Sequence, residues 1–576
     1  MTSADYTISE PEYDVKMEFN VKQKMRDGVN LSADIYRPNG EGRFPVILTR
    51  TCYSSVESSP ADQLIESEVN FRQPETFKFF ASRGYVFVVQ DVRGKNNSDG
   101  DFYPAIHEAN DGFDTQNWCG TQDWSNGKVG TIGGSYVART QWYPAFLRNP
   151  HLKTMISIVV PNDPFTTCPY RGGSIMVCLA SWAAQMDGRK DQSLLPYEDL
   201  LALYEQRPLI ELDRAFGRKI RWWKDWVQHS TNDSYWKAQS FEGKYNEVDV
   251  PVLHISGWFD DSGMGARLNF VGMVNSGRTE QTRKSQKLLV GPWMHRINRG
   301  QRLAGIDFGP QSVIDLRTVE LRWFDHWLKG KDTKIMNEPP VRLFVMGENV
   351  WRGEQEWPLA RTHFTNFYIH GKGRANSLLG DGSLTTEIPG EEPPDTYTFD
   401  PENPVPVAEP EPFQPGGPAD RRPVERRDDV LVYVTSPLQR EIEVTGPLSF
   451  KLYAASDSRD TDFTATLIDV LPSGYAMWLN DGIIRARYRN SYEKPTLLEP
   501  GKIYEYTIDL MWTSNLFTKG HRIGIEISSS RFPASSPNTN TGGDVGTETK
   551  TICAQQIIYH EHLHPSHVIL PVIPRN

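Results

Sequence analysis

The sequence predicts an α/β protein in three parts: a mostly parallel sheet covered on both faces by helices, a helical insertion over that sheet, and a separate antiparallel β domain. Three observations predict it. Short, wholly apolar runs bounded by turn residues recur through the first half of the chain, as strands buried on both faces require. That signal fades between Pro161 and Tyr245. Beyond Gly330 the apolar runs alternate with a two-residue period, the mark of strands that bury one face only.

The elements follow in order. Residues 15 to 50 carry short strand-like runs broken by polar turns such as Arg26-Asp27-Gly28, and they end in Phe44-Pro45-Val46-Ile47-Leu48. Glu75 to Ser82 has helical character, and Tyr85-Val86-Phe87-Val88-Val89 comes next. An apolar strand, a helix and a second apolar strand form the crossover unit of a parallel sheet. Further strands are expected at Val129 to Ile132, Met155 to Val160, Val252 to Ile255 and Lys287 to Val290. In the insertion, residues 174–185 and 195–206 carry helical spacing, and Trp222, Trp223 and Trp226 fall at helical intervals. Residues 386–427 are rich in Pro and Glu and by themselves read as a linker. Alternating runs at Val430 to Val434, Leu448 to Leu452, Ile523 to Ile527 and Val568 to Leu570 indicate an antiparallel sandwich. The expected division is 1–160 and 246–340 for the sheet domain, 161–245 for the insertion and 341–576 for the β domain.

Composition excludes several classes. A net charge of −11 with no Lys/Arg-rich run argues against nucleic-acid binding. Five scattered cysteines without a Cys-x-x-Cys pair argue against a disulfide framework or a structural zinc site, and fit a reducing compartment. The N-terminus lacks a basic segment followed by an apolar run, and no apolar stretch of roughly 18 residues occurs. A cytoplasmic protein without a membrane span is expected. The sixteen tryptophans read first as core fillers.

The chemistry is carried by Gly130-Thr131-Ile132-Gly133-Gly134-Ser135-Tyr136-Val137-Ala138. A strand runs into Gly-x-Ser, and a helix can start directly after it. A nucleophile elbow needs this layout: a tight turn exposes the hydroxyl, and small neighbours let the helix cross the strand. The usual pattern is Gly-x-Ser-x-Gly; here Val137 holds the last position and small Ala138 follows it. A weak serine nucleophile needs an imidazole base, and the imidazole needs a carboxylate to hold its tautomer. In α/β-hydrolases these follow in the order Ser, acid, His. Asp260 lies just past the run Val252 to Ile255, and His295 just past Leu288-Leu289-Val290, at carboxyl ends of strands where catalytic groups belong. Taken singly, His295 reads as a loop histidine and Asp260 as a turn or cap residue. Their order after Ser135 is what joins them.

Acyl transfer also needs donors aimed at the developing oxyanion. No His-Gly-Gly-Gly loop occurs. Tyr53, after the strand ending Thr49-Arg50-Thr51, can offer its hydroxyl, with the backbone N–H of Tyr136 as second donor; a packing role for Tyr53 is the plainer alternative.

At these residues the chain resembles the cocaine esterase and X-Pro dipeptidyl peptidase family of hydrolases, also called CocE/NonD. The resemblance rests on Asp91-Val92-Arg93-Gly94, Gly133-Gly134-Ser135-Tyr136, Gly257-Trp258-Phe259-Asp260 and Gly291-Pro292-Trp293-Met294-His295. It continues in Trp323-Phe324-Asp325-His326-Trp327-Leu328, Asp460-Thr461-Asp462-Phe463, Gly520-His521-Arg522 and His564-Pro565-Ser566-His567. It implies an α/β-hydrolase core, a helical cap and a C-terminal jelly roll, with the Pro/Glu-rich stretch an ordered loop of that jelly roll. It also implies the triad Ser135, Asp260 and His295, an oxyanion hole of Tyr53 and Tyr136, no cofactor and no metal, and a homodimer as the common assembly. Trp182 and Tyr170 match cap aromatics that face the acyl group, and Phe259, Asp261 and Ser262 complete the expected substrate surface. Where relatives follow the catalytic Asp with glycine and an aromatic residue, this chain has Asp261 and Ser262, so an aryl-acyl pocket is not carried over. Asp261 can attract a substrate amine or serve as a solvated turn residue. No acid stands among Val137, Ala138 and Arg139, so the specificity of amino-acid ester hydrolases is not carried over either.

His560, His562 and His564 alternate as on one face of a strand and, with His567, look like metal ligands. The expected role is packing or exposure in the closing strand of the β domain. The sequence therefore points to hydrolysis of a small-molecule carboxylic ester through an acyl-enzyme on Ser135. The alternative is an amide hydrolase, either an acylase or an X-Pro dipeptidyl peptidase. A non-catalytic carbohydrate-binding or scaffold protein is disfavoured by the complete Ser, Asp, His and Tyr set.

Overall fold

The computed structural model describes residues 6–54, 73–192, 195–261, 263–407 and 417–575. Ten strands form the first sheet: β1 (Val15–Lys24), β2 (Asn30–Pro38), β3 (Phe44–Thr51), β4 (Val86–Asp91), β5 (Ser125–Gly134), β6 (Leu152–Ile158), β7 (Val252–Gly257), β8 (Lys287–Gly291), β9 (Val341–Val345) and β10 (Val350–Glu354). Their spatial order is β1-β2-β4-β3-β5-β6-β7-β8-β9-β10. Pairing is parallel from β4 through β9 and antiparallel at both ends.

The apolar runs behave as strands buried on both faces. Val46 and Leu48 of β3 join one core with Val86, Val88 and Cys119. Ile47 and Phe87 point the other way, into a core with Phe77, Phe80, Trp323 and Phe324. Helices α1 (Pro74–Ala81) and α2 (Glu108–Thr121) thus lie on opposite faces. Each such side chain contributes roughly 1.5–3 kcal/mol by leaving water.

The first sheet extends beyond its expected limit. The β domain was expected from residue 341, but Val341 pairs in parallel with Leu288, and β10 then turns back on β9. The apolar run Val341-Arg342-Leu343-Phe344-Val345 covers the exposed edge of β8, so the chain leaves this sheet only after Glu354.

Helix α3 (Tyr136–Ala145) follows β5. The insertion holds α4 (Leu179–Met186), α5 (Tyr197–Tyr204), α6 (Arg221–Gln228) and α7 (Ser234–Gln239). The first of these starts later than its spacing suggests, because Ser174–Ile175 pairs with Tyr170–Arg171 in a small hairpin.

The β domain is an eleven-stranded sheet. Its strands are β11 (His363–His370), β12 (Ser383–Thr385), β13 (Asp395–Phe399), β14 (Leu431–Val434), β15 (Ile442–Ser456), β16 (Asp462–Val470), β17 (Ala476–Arg485), β18 (Tyr504–Phe517), β19 (Arg522–Ser528), β20 (Ala554–Tyr559) and β21 (His567–Ile573). The stretch 386–427 is not a free linker where it is described. It supplies β13, its Pro406 bridges Phe532, and Arg421 forms a buried pair with Glu526 at 2.6 Å. The segment with His560, His562 and His564 is not a strand but the turn between β20 and β21. The alternation fails because β20 ends at Tyr559 and His564 bonds back to Glu561.

Seven tryptophans, Trp142, Trp223, Trp236, Trp258, Trp293, Trp323 and Trp512, are fully buried, which places them in the core. None of the five cysteines is in a disulfide. Among the described residues no helix is long and apolar enough to cross a membrane.

Candidate active site

Ser135 stands between β5 and α3 with φ 56° and ψ −125°. Such a conformation costs on the order of 1–3 kcal/mol and persists only where its surroundings over-determine it. Here they do. The Ser135 N–H donates to Ile158 O at 2.9 Å. Gln141 of α3 donates back to Gly133 O at 3.1 Å and accepts from the Thr131 hydroxyl at 2.9 Å. A Cβ on Gly133 would stand 2.3 Å from Val137 Cγ1, so only glycine lets the helix cross this closely. Ala138 is fully buried and leaves little room for a larger side chain. From Thr131 to Thr140, Ser135 alone is not buried.

Asp260 and His295 follow adjacent parallel strands. Beyond β7 and β8 the two chains stay zipped: Trp258 N–H donates to Gly291 O and Phe259 N–H to Trp293 O, both at 3.0 Å. Gly257 permits this approach, since a Cβ there would lie 2.0 Å from Trp293 O. The zipper carries Asp260 to His295, with Oδ1 2.8 Å from Nδ1. The Ser256 hydroxyl donates to the other carboxylate oxygen at 3.0 Å. Asp260 is fully buried, while the His295 side chain is 26% exposed. A carboxylate at Nδ1 favours the proton there, which makes Nε2 the nitrogen able to accept another.

Asp261 stands in the turn after Asp260 but is only partly exposed. Its side chain is 22% exposed, and Oδ1 lies 4.0 Å from His295 Nδ1. Burial raises its carboxyl pKa; His295 works against that rise and Asp260 adds to it. The ligand atoms of Asp260, Asp261 and His295 lie within 4.8 Å of one another, close enough to share a cation. The same closeness serves an imidazole flanked by two acids.

Tyr53 extends past β3. Its hydroxyl oxygen accepts from Trp182 Nε1 at 3.3 Å, and the Ser135 hydroxyl is a further hydrogen-bond partner. An indole N–H can only donate, so the phenol proton is left for another acceptor. Burial pushes the Tyr53 phenol up, keeping it protonated. The Tyr136 N–H lies at the start of α3, beside Ser135. Its phenol donates to Glu108 Oε1 at 2.8 Å and accepts from Ala105 N–H at 3.0 Å. Glu108 in turn pairs with Arg50 at 2.7 Å. This buried chain anchors the elbow from behind.

The Trp182 ring lies 5.9 Å from Tyr136, 5.4 Å from Trp222 and 6.2 Å from Trp226, forming an aromatic wall. Two expected substrate residues face elsewhere. Tyr170 is fully buried one layer behind, stacked on Phe165 at 4.7 Å with its hydroxyl bonded to Trp226 O at 3.0 Å. Phe259 is 2% exposed and packs between Phe308 at 6.0 Å and Trp478 of the β domain at 6.1 Å. Ser262 lies outside the described residues. Sequence reasoning missed Glu108 and Arg50, which only the fold brings to Tyr136. It also missed Ser256, although that residue stands in the same strand end as Asp260.

The model of the X-Pro dipeptidyl-peptidase (S15 family) matches residues 27–296, and that of the X-Pro dipeptidyl-peptidase C-terminal non-catalytic domain matches residues 333–569. The chain is 37% identical to a cocaine esterase from Rhodococcus sp. (strain MB1 Bresler), over 96% of this chain and 98% of that one. Among solved structures it is similar to an alpha-amino acid ester hydrolase, with a TM-score of 0.84, 25% identity and 99% of each chain covered. An aminopeptidase from a marine sediment Thaumarchaeota archaeon gives a TM-score of 0.84 and 25% identity, over 98% of this chain and 97% of that one.

Proposed function

The chain belongs to the family of cocaine esterase and the X-Pro dipeptidyl peptidases and is a serine hydrolase, and on that premise we propose that it cleaves small-molecule carboxylic esters through an acyl-enzyme on Ser135. The observation that carries this reading is the short bond between His295 Nδ1 and buried Asp260, 2.8 Å, beside a serine held in a strained elbow. His295 Nε2 takes the Ser135 proton as the hydroxyl oxygen attacks the ester carbonyl. Asp260 stabilises the imidazolium that forms. The Tyr53 hydroxyl and the Tyr136 N–H donate to the oxyanion. His295 then protonates the leaving alcohol, and in the second half-reaction it activates water to release the acid.

The aromatic wall around Trp182 suits an apolar acyl or leaving group, and Asp261 is the polar exception at the site. Amide cleavage uses the same apparatus with a poorer leaving group. A panel of p-nitrophenyl esters and aminoacyl or prolyl anilides, compared by kcat/KM, separates the two. Esters are expected to exceed the matching anilides by at least about a hundredfold; an equal or greater value for an anilide would place the chain with the amide hydrolases.

A further inference from the structure

One buried cation takes no part in these steps. Lys95 follows Asp91-Val92-Arg93-Gly94 at the end of β4, and its side chain is 0% exposed. A lysine is almost never fully buried unless its charge is matched, because desolvation is costly. Lys95 Nζ lies over the Phe102 ring at 5.4 Å, and its polar partners lie in one stretch of the cap. Nζ donates to Met186 O at 3.2 Å and to Gly188 O at 2.9 Å, and it pairs with Asp191 Oδ1 at 3.6 Å. Met186 ends α4, so the ammonium also sits where the helix dipole favours a positive charge.

That stretch holds the loop of Tyr53. The Ser54 N–H donates to Asp191 Oδ2 at 2.9 Å, and the Asp191 N–H donates to the Ser54 hydroxyl at 2.7 Å. Asn96 N–H donates to Arg189 O at 2.6 Å, and Arg189 Nη1 to Ser98 O at 2.6 Å. The same helix carries Trp182, whose indole N–H fixes the Tyr53 hydroxyl oxygen. Tyr53 is thus tied to the cap through its hydroxyl and through the backbone next to it, and both ties lead to the segment that Lys95 holds.

We propose that Lys95 is a positioning residue for oxyanion stabilisation: its ammonium bolts cap residues 186–191 to the hydrolase core, and that segment, through Asp191 and Trp182, aims the Tyr53 hydroxyl at the reacting carbonyl. The inference rests on the oxyanion role given to Tyr53 above. A misplacement of about 1 Å at such a donor is enough to lower turnover strongly.

A double-mutant cycle in the full chain tests it, with p-nitrophenyl acetate as substrate. Tyr53→Phe is expected to lower kcat on the order of 10²- to 10³-fold, as for one lost oxyanion donor. Lys95→Met is expected to lower kcat roughly 10- to 100-fold with KM changed less than about threefold. Because it acts through Tyr53, Lys95→Met added to Tyr53→Phe should cost no more than about a further threefold. Losses that multiply in the double variant, or a Lys95→Met enzyme of full rate, would overturn the proposal. A fully active Tyr53→Phe enzyme would instead remove the oxyanion reading beneath it. Asp191→Asn, which keeps an acceptor for Ser54 but weakens the pairing with Lys95, enters the same cycle if Lys95→Met does not fold. It should show the same dependence on Tyr53, and multiplying losses would again count against the proposal.

Discussion

Asp260 and Asp261 face one imidazole, and they differ in what surrounds them. Asp260 has Ser256 and His295 as hydrogen-bond partners, whereas Asp261 approaches His295 only to 4.0 Å. A negative charge at that distance favours the protonated imidazole. Burial raises the Asp261 carboxyl, so its charge arrives at higher pH than for an ordinary aspartate. Above that pH its charge works against deprotonation of the His295 imidazole. Asp261→Asn is therefore expected to move the acid limb of kcat/KM to lower pH, by about half to one unit. A pH–rate profile from about pH 4.5 to about pH 8.5 checks this; an unmoved or raised limb would count against it. Ser135, Asp260 and His295 could be proposed from the sequence because each follows an apolar strand and their order matches a known chemistry. The direction of a side chain was not. Tyr170 and Phe259 stand at family positions, but Trp226 and Trp478, distant in sequence, decide what they touch.

At the scale of elements, the turn between β20 and β21 shows why alternation alone misleads. His560 follows the last residue of β20 and is fully buried, while His562 and His564 bond to nearby glutamates. The two ring nitrogens of His560 lie 3.1 Å from Glu392 and 2.9 Å from Asp395. Two carboxylates on one ring call for two N–H donors, hence the imidazolium. Burial opposes that charge, but Asp395 and Glu392 outweigh it and hold the pKa above its ordinary value. A raised folded-state pKa gives stability that is complete below the unfolded value of about 6.5 and is lost as pH rises through the folded one. The melting temperature is expected to fall between about pH 6 and about pH 9. His560→Ala should flatten that slope and lower stability by about 3–5 kcal/mol, because buried Asp395 keeps the donors Ala375 N–H and Tyr433 OH but loses its counter-charge. Thermal unfolding of both proteins across this range checks the slope; a variant that keeps the native slope would contradict it. The Pro/Glu-rich stretch teaches the same lesson in reverse. Its composition describes a solvated linker, but Arg421 on Glu526 and the Pro406 bridge to Phe532 fasten it to the β domain. Pairings of such long sequence separation leave no local signature.

At the scale of the whole molecule, the three-part plan was legible from texture alone: apolar runs, then helical spacing, then alternation. The seam between sheet and β domain was not, since β9 and β10 are short strands whose assignment depends on the free edge of β8. One apolar core joins Tyr136 of the elbow, Trp222 and Trp226 of the cap, and Trp258 and Phe259 beside the acid with Trp478 and Trp512 of the β domain. The site therefore lies where all three parts meet, and the chemistry proposed there turns on Ser135 as the nucleophile. Labelling of the folded protein with a fluorophosphonate, followed by peptide mapping, tests this most directly. One label per chain on Ser135 is expected, with none on Ser135→Ala, whose turnover should fall on the order of 10⁴-fold or more. A label on another residue, or a Ser135→Ala enzyme of undiminished rate, would contradict it.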